Sequence, residues 1–278
     1  MPSATKFARV PGLAFEFEVL AGDAIIGPAI ERGAWEEHET ALFKAHLVPG
    51  STVLDLGANV GWFAVQAILA GCDVHAFEPV PAIADVAERN MARAMESGKG
   101  RGTLYRFAAG DRRATAVIAL AAANFGDNRV LESGAPRPAD MGAGEEIEIE
   151  IERVDDHVRG PVRLIKIDTQ GSEWLALQGA RELLDASPSV ALLMEFWPYA
   201  LRGAQPAELL RFLRDRGFAI GKATAAPYPM SVERILLQAA ARDPVKGGLD
   251  LYATRGVPFH TGGLGRRVRS LVRSLRES

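Results

Sequence analysis

Residues 52–63 read TVLDLGANVGWF. The short β-branched and apolar run Thr52–Leu56 stops at Gly57, as a buried parallel strand does at its carboxyl end. An apolar helix is predicted over Trp62–Ala70, closed by Gly71 at the position of a C-terminal cap. Asp73–Glu78 (DVHAFE) reads as a second strand. Ala82–Met95 reads as a second helix, opened by Pro81 in its first turn. Strand, glycine turn, helix and strand in that order begin an α/β sheet built from crossover units.

The same beat continues downstream. SGKGRG (97–102) reads as a turn and Leu104–Ala108 as the third strand. Ala114–Leu120 and Arg129–Leu131 form a hairpin, with Asn124–Asn128 (NFGDN) as turn chemistry. Residues 133–144, rich in Gly, Pro and Ala, read as a loop. Glu145–Glu152 alternates without error: Ile147, Ile149 and Ile151 share one face, and the glutamates form its solvated side. Val162–Asp168 is then a strand, Glu173–Leu184 a helix, Ser189–Phe196 a strand, Ala207–Arg216 a helix ended by Gly217, and Leu249–Ala253 a last strand. Upstream, Ala14 to Val19 alternates as a short strand and Trp35 to His46 reads as a helix. The fold class is α/β, an open, doubly wound and mostly parallel sheet with helices on both faces. Three segments result: an N-terminal extension (1–50) packing on the core, the α/β domain (51–256), and a basic amphipathic tail (257–278).

Composition agrees with a globular domain. Of 278 residues, 48% are hydrophobic and 24% charged, which excludes collagen-like and wholly disordered chains. A net charge of −3 gives no global reason to bind nucleic acid. Cys72 is the only cysteine, so no intramolecular disulfide forms and a multi-cysteine zinc site is excluded; it reads as buried. The histidines show no metal-ligand spacing, and no metal is expected. The opening residues lack a secretory pattern and no apolar run approaches the roughly 20 residues that span a bilayer, so a cytoplasmic protein is expected. In the tail, Val268, Leu271, Val272 and Leu275 fall at helical spacing among five arginines and one glutamate. It reads as a terminal helix docking on its own protein. Weak contact of residues 262–278 with an anionic membrane surface is the alternative. Nothing in the sequence sets the oligomeric state.

In a sheet of this kind, ligands bind at the carboxyl ends of strands, where strand order reverses. A dinucleotide fingerprint wants Gly-x-Gly-x-x-Gly, but Asn59 occupies the middle glycine's place. Asp55 would also set a carboxylate beside any diphosphate, and like charges repel there. S-adenosyl-L-methionine fits better. It has no phosphate and carries a sulfonium and an ammonium that Asp55 can meet directly or through water. Glu78, at the end of the second strand, can accept hydrogen bonds from ribose hydroxyls. An NAD(P)-dependent oxidoreductase on a similar sheet is the first alternative, and a non-catalytic cofactor-binding module the second.

Four blocks, VLDLGANVGWF (53–63), AFEPVP (76–81), LIKIDTQGSEWLALQGA (164–180) and ALLMEFW (191–197), resemble class I S-adenosylmethionine-dependent methyltransferases, specifically the FkbM family. The most specific is Lys-Ile-Asp-x-x-Gly-x-Glu, standing here as Lys166, Ile167, Asp168, Gly171 and Glu173. The resemblance covers roughly residues 35–200. It implies a Rossmann-like sheet of seven strands and methyl transfer, commonly to a hydroxyl oxygen of a sugar, glycan or natural product. By position it implies that Asp55, Gly57, Ala58, Asn59 and Gly61 line the methionine end, Glu78 with Pro79 the ribose, and Asp111 the adenine. Gln170 and Ser172 stand where Glu and Ala are frequent.

An alcohol acceptor must lose its proton, so a nearby base helps. Asp168, at the end of its strand, is expected to orient the acceptor, take its proton or hold the cofactor's ammonium. Glu173 and Glu195 are further carboxylate candidates, although Glu173 is equally placed to cap backbone N–H groups. Lys166 reads as a pairing or snorkelling residue at a sheet edge. Trp197 and Tyr199 are expected to border the acceptor pocket, and Trp62 to sit in the core. The identity of the acceptor is not legible from the sequence.

Overall fold

The computed structural model describes residues 4–132, 134, 136–242 and 248–260. The expected tail helix (262–278) lies outside the described residues. The chain opens with an antiparallel ribbon, β1 (Thr5–Arg9) and β2 (Glu16–Leu20), then α1 (Ile26–Arg32) and α2 (Glu37–His46). There follow β3 (Thr52–Leu56), α3 (Trp62–Leu69), β4 (Asp73–Phe77), α4 (Pro81–Met95) and β5 (Arg101–Tyr105). A small sheet comes next, from β6 (Ala108–Ala109), β7 (Ala114–Ala119), β8 (Arg129–Val130) and β9 (Glu146–Glu152). The chain then runs through β10 (Leu164–Ile167), α5 (Glu173–Gly179), α6 (Arg181–Asp185), β11 (Val190–Phe196), α7 (Pro206–Asp215), β12 (Ala219–Lys222), α8 (Val232–Ala240) and β13 (Leu249–Arg255).

The large sheet has seven strands in the order β12-β13-β11-β10-β3-β4-β5. Its pairs from β11 to β5 are parallel, whereas β13 lies antiparallel to both β11 and β12. The sheet is therefore mixed: the run from β11 to β5 keeps the expected mostly parallel pattern, and β13 interrupts it at one end. From β3 the chain winds outward to β5, then returns to β10 on the other side of β3. That reversal opens a crevice at the carboxyl ends of β3 and β10.

Alternation along the strands sorts side chains onto two faces. Val53, Val74, Leu164, Ala191 and Leu193 join one core with residues of α1, α3 and α4. Leu54, Ile165, Ile167, Leu192 and Met194 join the other with α5, α6 and α7. Phe17, Ile26, Ile30 and Phe43 belong to the first core, so residues 4–46 contribute to the interior. The small sheet joins that core through Ile118, Phe125 and Ile149.

Several elements differ from expectation. The strand read as Leu104–Ala108 starts at Arg101; Gly98 keeps the expected turn at φ 67°, whereas Gly102 lies in the strand, where a Cβ would strike Met91 and Ile68. The helix read over Glu173–Leu184 is two helices meeting at Ala180. Helices α1 and α8, and strand β12, were not anticipated.

Candidate active site

A cavity of about 490 Å³ opens at the crevice between β3 and β10. Its floor begins at the glycine turn. Gly57 has φ +85°, and a Cβ there would collide with the carbonyl oxygen of Asp168, so only glycine lets β10 close against the turn. Asn59 adopts φ 49°, the left-handed region that Asn tolerates best among residues with a side chain. Its Oδ1 accepts from the Val60 N–H at 2.8 Å, and its Nδ2 donates to the Phe125 carbonyl at 3.1 Å. Gly57, Ala58 and Asn59 all border the cavity.

Glu78 and Pro79 border it too. The Glu78 carboxylate accepts from the N–H groups of Asn59 and Val80, each at 3.0 Å. Burial raises its pKa to about 7, against the lowering effect of those two bonds. Ala108, Ala109, Gly110 and Asp111 form an adjoining wall, where Asp111 pairs with Arg112 at 3.2 Å.

Two expected site carboxylates lie off the cavity wall. Asp55 is 0% exposed and stands behind the turn instead of on the cavity wall. Its Oδ2 accepts from the Ala64 N–H of α3 at 3.0 Å, while Oδ1 has no partner. Burial raises its pKa to about 7. Glu173 is also 0% exposed and off the wall. Its Oε1 accepts from the N–H groups of Thr169 and Gly171, which fixes the loop after β10. The capping reading of Glu173 is the one the geometry matches. Gly61 opens α3 at φ 84°, below the lining residues.

Beyond the turn, Asp168 and Glu195 both face the cavity and are joined by one side chain. Gln170, itself left-handed at φ 48°, donates from Nε2 to Asp168 Oδ1 at 2.7 Å and to Glu195 Oε2 at 2.8 Å. On the other side of Asp168 lies Lys166 Nζ, 3.4 Å from Oδ2 and 3.0 Å from Glu36 Oε2. Lys166 also sits over the Phe63 ring at 5.1 Å. It is not at a sheet edge. Strand β10 is central, and Lys166 is in register with Asp55 on β3 and Leu193 on β11.

By strand alternation Asp55, Lys166 and Glu195 share one sheet face, with Asp250 of β13 in register with Glu195. A seam of ionisable groups thus crosses four strands beneath the start of α2. Burial alone would depress the Lys166 ammonium, but Glu36, Asp168 and Asp250 outweigh it and hold its pKa well above the usual value. Burial, reinforced by Asp168 and Glu173, raises Glu195 well above the usual carboxylate range. Glu36, at φ 43°, is raised to about 7 chiefly by burial.

The remaining wall comes from the NFGDN loop and the segment after β11. Asn124–Asn128 line the cavity and also form the expected turn: the Asp127 N–H donates to the Asn124 carbonyl at 3.0 Å, and the Gly126 N–H to Asn124 Oδ1 at 3.2 Å. Asp127 pairs with Arg129 at 2.7 Å, and Asp140 pairs with it at 2.8 Å. The Arg129 guanidinium lies 4.4 Å over the ring of Trp197, which lines the cavity as expected. Tyr199 does not; it is exposed and donates to the Ala240 carbonyl at 3.3 Å. Trp62 is buried as expected, and its indole edge also reaches the cavity. Glu36, Arg129 and Arg202 line it without having been anticipated. A buried lysine inside LIKID was the one readable sign that a carboxylate such as Glu36 had to be near.

Among known proteins, the FkbM methyltransferase domain matches residues 55–220. The chain belongs to the FkbM methyltransferase family. Its methyl donor, as an FkbM protein, is S-adenosylmethionine. The chain is 28% identical over 266 residues to the 31-O-demethyl-FK506 methyltransferase FkbM of Streptomyces tacrolimicus, covering 87% of this chain and 98% of that one. A crystal structure of an FkbM methyltransferase from Methylobacillus flagellatus is similar at 16% identity and TM-score 0.46; the match covers 80% of this chain and 51% of that one, about half its length. The magnesium protoporphyrin IX methyltransferase of Synechocystis with bound S-adenosylmethionine is similar at 14% identity and TM-score 0.45, covering 84% and 85% of the two chains.

The residues present fit such a donor. The cavity wall carries seven carboxylates (Glu36, Glu78, Asp111, Asp127, Asp140, Asp168 and Glu195) against four cationic side chains (Arg112, Arg129, Lys166 and Arg202). That surplus of carboxylates suits a sulfonium and an ammonium, whose charge favours the ionised form of the three that burial raises, and it repels a diphosphate.

Proposed function

We propose that this protein transfers a methyl group from S-adenosylmethionine to a hydroxyl oxygen of a small molecule or sugar. The observation that carries the reading is the pair of cavity-facing carboxylates, Asp168 and Glu195, held on one Gln170 amide beside the glycine turn. Gly57, Ala58, Asn59 and Glu78 would hold the donor, Glu78 with Pro79 at its ribose and Asp111 at its adenine. Bound there, the donor supplies an electrophilic methyl carbon. The S. tacrolimicus relative is named for methylating an oxygen, which supports the same choice here.

The chain's own part is alignment and proton removal. Holding acceptor and donor in line contributes up to about 7–11 kcal/mol in ideal cases. Asp168 accepts a hydrogen bond from the acceptor hydroxyl and so sets its direction. Glu195, made more basic by burial, takes the hydroxyl proton as the oxygen–carbon bond forms. Gln170 bridges the two carboxylates and fixes their spacing, and Lys166 offsets the charge of Asp168.

The test is calorimetry with S-adenosylhomocysteine and with NAD, followed by methyl-tritiated donor in extracts containing hydroxylated metabolites. Binding of S-adenosylhomocysteine and label appearing in ether linkage are expected. Tight NAD binding, or label found on nitrogen or carbon, would overturn the reading. Glu195→Gln should remove the rise of turnover with pH. A wild-type pH profile in that variant would take Glu195 out of the proton step.

A further inference from the structure

The segment after β11 holds two hydrogen-bond donors for which the described residues supply no acceptor. Trp197 is 7% exposed and lines the cavity, yet its indole Nε1 is buried without a partner. Arg202, five residues on, lines the same cavity. Its Nη1 donates to Ser172 Oγ at 3.2 Å, but its Nε is buried and unpartnered. Glu132 and Glu173 act on it only at a distance, and no carboxylate of the described residues pairs with it. Arg129, its neighbour on the wall, is by contrast fully answered by Asp127 and Asp140.

A buried N–H left without an acceptor is costly, and Trp197 and Arg202 differ from Arg93, Arg163 and Arg255, whose Nε is likewise unpartnered, in lining the cavity. The loop is also firmly held. The Ala200 N–H donates to the Trp197 carbonyl at 3.1 Å, and the Arg202 N–H to the Gly171 carbonyl at 2.8 Å. These donors are therefore fixed in place, on the far side of Asp168 from Glu78 and the glycine turn. That is the half of the cavity left for the acceptor. The rest of the wall is rich in carboxylates, which would repel a dianion such as a phosphate monoester. A carboxylate brings one charge and enough lone pairs for both donors, and its plane matches the edge of a guanidinium.

We propose that the methyl acceptor carries a carboxylate, received by Arg202 and the Trp197 indole N–H, with its hydroxyl directed at Asp168 and Glu195. This rests on the methyltransferase reading and adds the substrate class to it. A hydroxy acid, such as a uronic acid or a carboxylated natural product, is the acceptor chemistry the site selects.

The experiment has two arms. Calorimetry first measures S-adenosylhomocysteine binding to wild type, Arg202→Met and Arg202→Lys; equal affinity in all three is expected. Acceptor binding to the S-adenosylhomocysteine complex and methyl transfer are then compared for D-glucuronate, shikimate and 3-hydroxybenzoate, each against its own methyl ester. At least a tenfold preference for free acids is expected in wild type. Arg202→Met should abolish that preference, with Arg202→Lys restoring part of it. Esters serving as well as acids, or no acid registering at all, would overturn the proposal. So would a fall in S-adenosylhomocysteine affinity in Arg202→Met, since the arginine would then hold the donor's own carboxylate. Wild type failing to bind S-adenosylhomocysteine would instead sink the methyltransferase reading beneath it.

Discussion

Glu78 holds the glycine turn and waits for a ligand with the same two oxygens. Removing it frees the Asn59 and Val80 N–H groups as well as deleting the acceptor proposed for the ribose. Glu78→Ala should weaken S-adenosylhomocysteine binding by about 1.5–3 kcal/mol, the scale of bonds to a charged group, and titration calorimetry measures it. Gly57→Ala meets both a positive φ and the Asp168 carbonyl. A destabilisation well above about 1 kcal/mol is expected, read from the urea midpoint. Asp55 supplies a pH signature. Its carboxyl rises from 3.8 to about 7 on folding because it is buried, so the folded state binds the proton more tightly. The associated stability is full below the unfolded value and is lost as pH climbs through about 7. Asp55→Asn keeps an acceptor for the Ala64 N–H and removes the titration. Its stability should fall less between pH 5 and 8 than that of wild type, by about 1.4 kcal/mol per unit within the window; denaturation at both pH values checks this. Glu78, Asp168 and Asn59 were legible because strand ends and a glycine turn fix their place locally. Asp55 was misjudged for a related reason: alternation gives a side chain's face, but not whether a helix N-terminus above it will claim the carboxylate.

The start of α2 and the centre of the sheet meet through one ion pair, buried Lys166 with half-buried Glu36. Deleting one member of such a pair strands the other, at a typical cost of about 3–5 kcal/mol. Lys166→Met should therefore lower stability strongly and turnover more than Lys166→Arg does, measured by denaturation and by methyl transfer at one pH. A second join is polar and internal. Asn90 of α4 accepts from the Glu18 N–H and donates to the Glu18 and Val60 carbonyls, tying β2 to the glycine turn. Asn90→Ala leaves three backbone groups unanswered, and a loss of about 2–4 kcal/mol is expected from the urea midpoint. The elements from β3 to α4 were readable because each carries its own period and punctuation. Four-residue β12, containing Gly221, carries neither, and α1 spans only seven residues, so Asp23, which accepts from the Ile25 and Ile26 N–H groups at its start, caps a pattern too short to read. Arg202 was invisible for a different reason: a loop arginine shows nothing in sequence until its neighbours are known to lack carboxylates.

At the scale of the molecule, what the sequence could not convey was strand order. Strand β13 is inserted between β11 and β12, so β12 has no neighbour in the sheet without it. A chain ending at residue 248 should leave the edge of β11 bare and β12 unpaired. Aggregation on expression is expected, and the soluble fraction, compared with that of the chain ending at 260, measures it. His46 Nε2 and the Tyr252 hydroxyl, 2.6 Å apart, add a link between α2 and β13. The same insertion sets a timetable for biogenesis. While the ribosome is still making residues 249–255, the half of the sheet from β10 to β5 can already assemble, but β11 must wait with one side open. Growth of the nascent polypeptide thus leaves this insertion until late, and any pause in translation between residues 222 and 249 prolongs the interval in which a chaperone has to shield that edge.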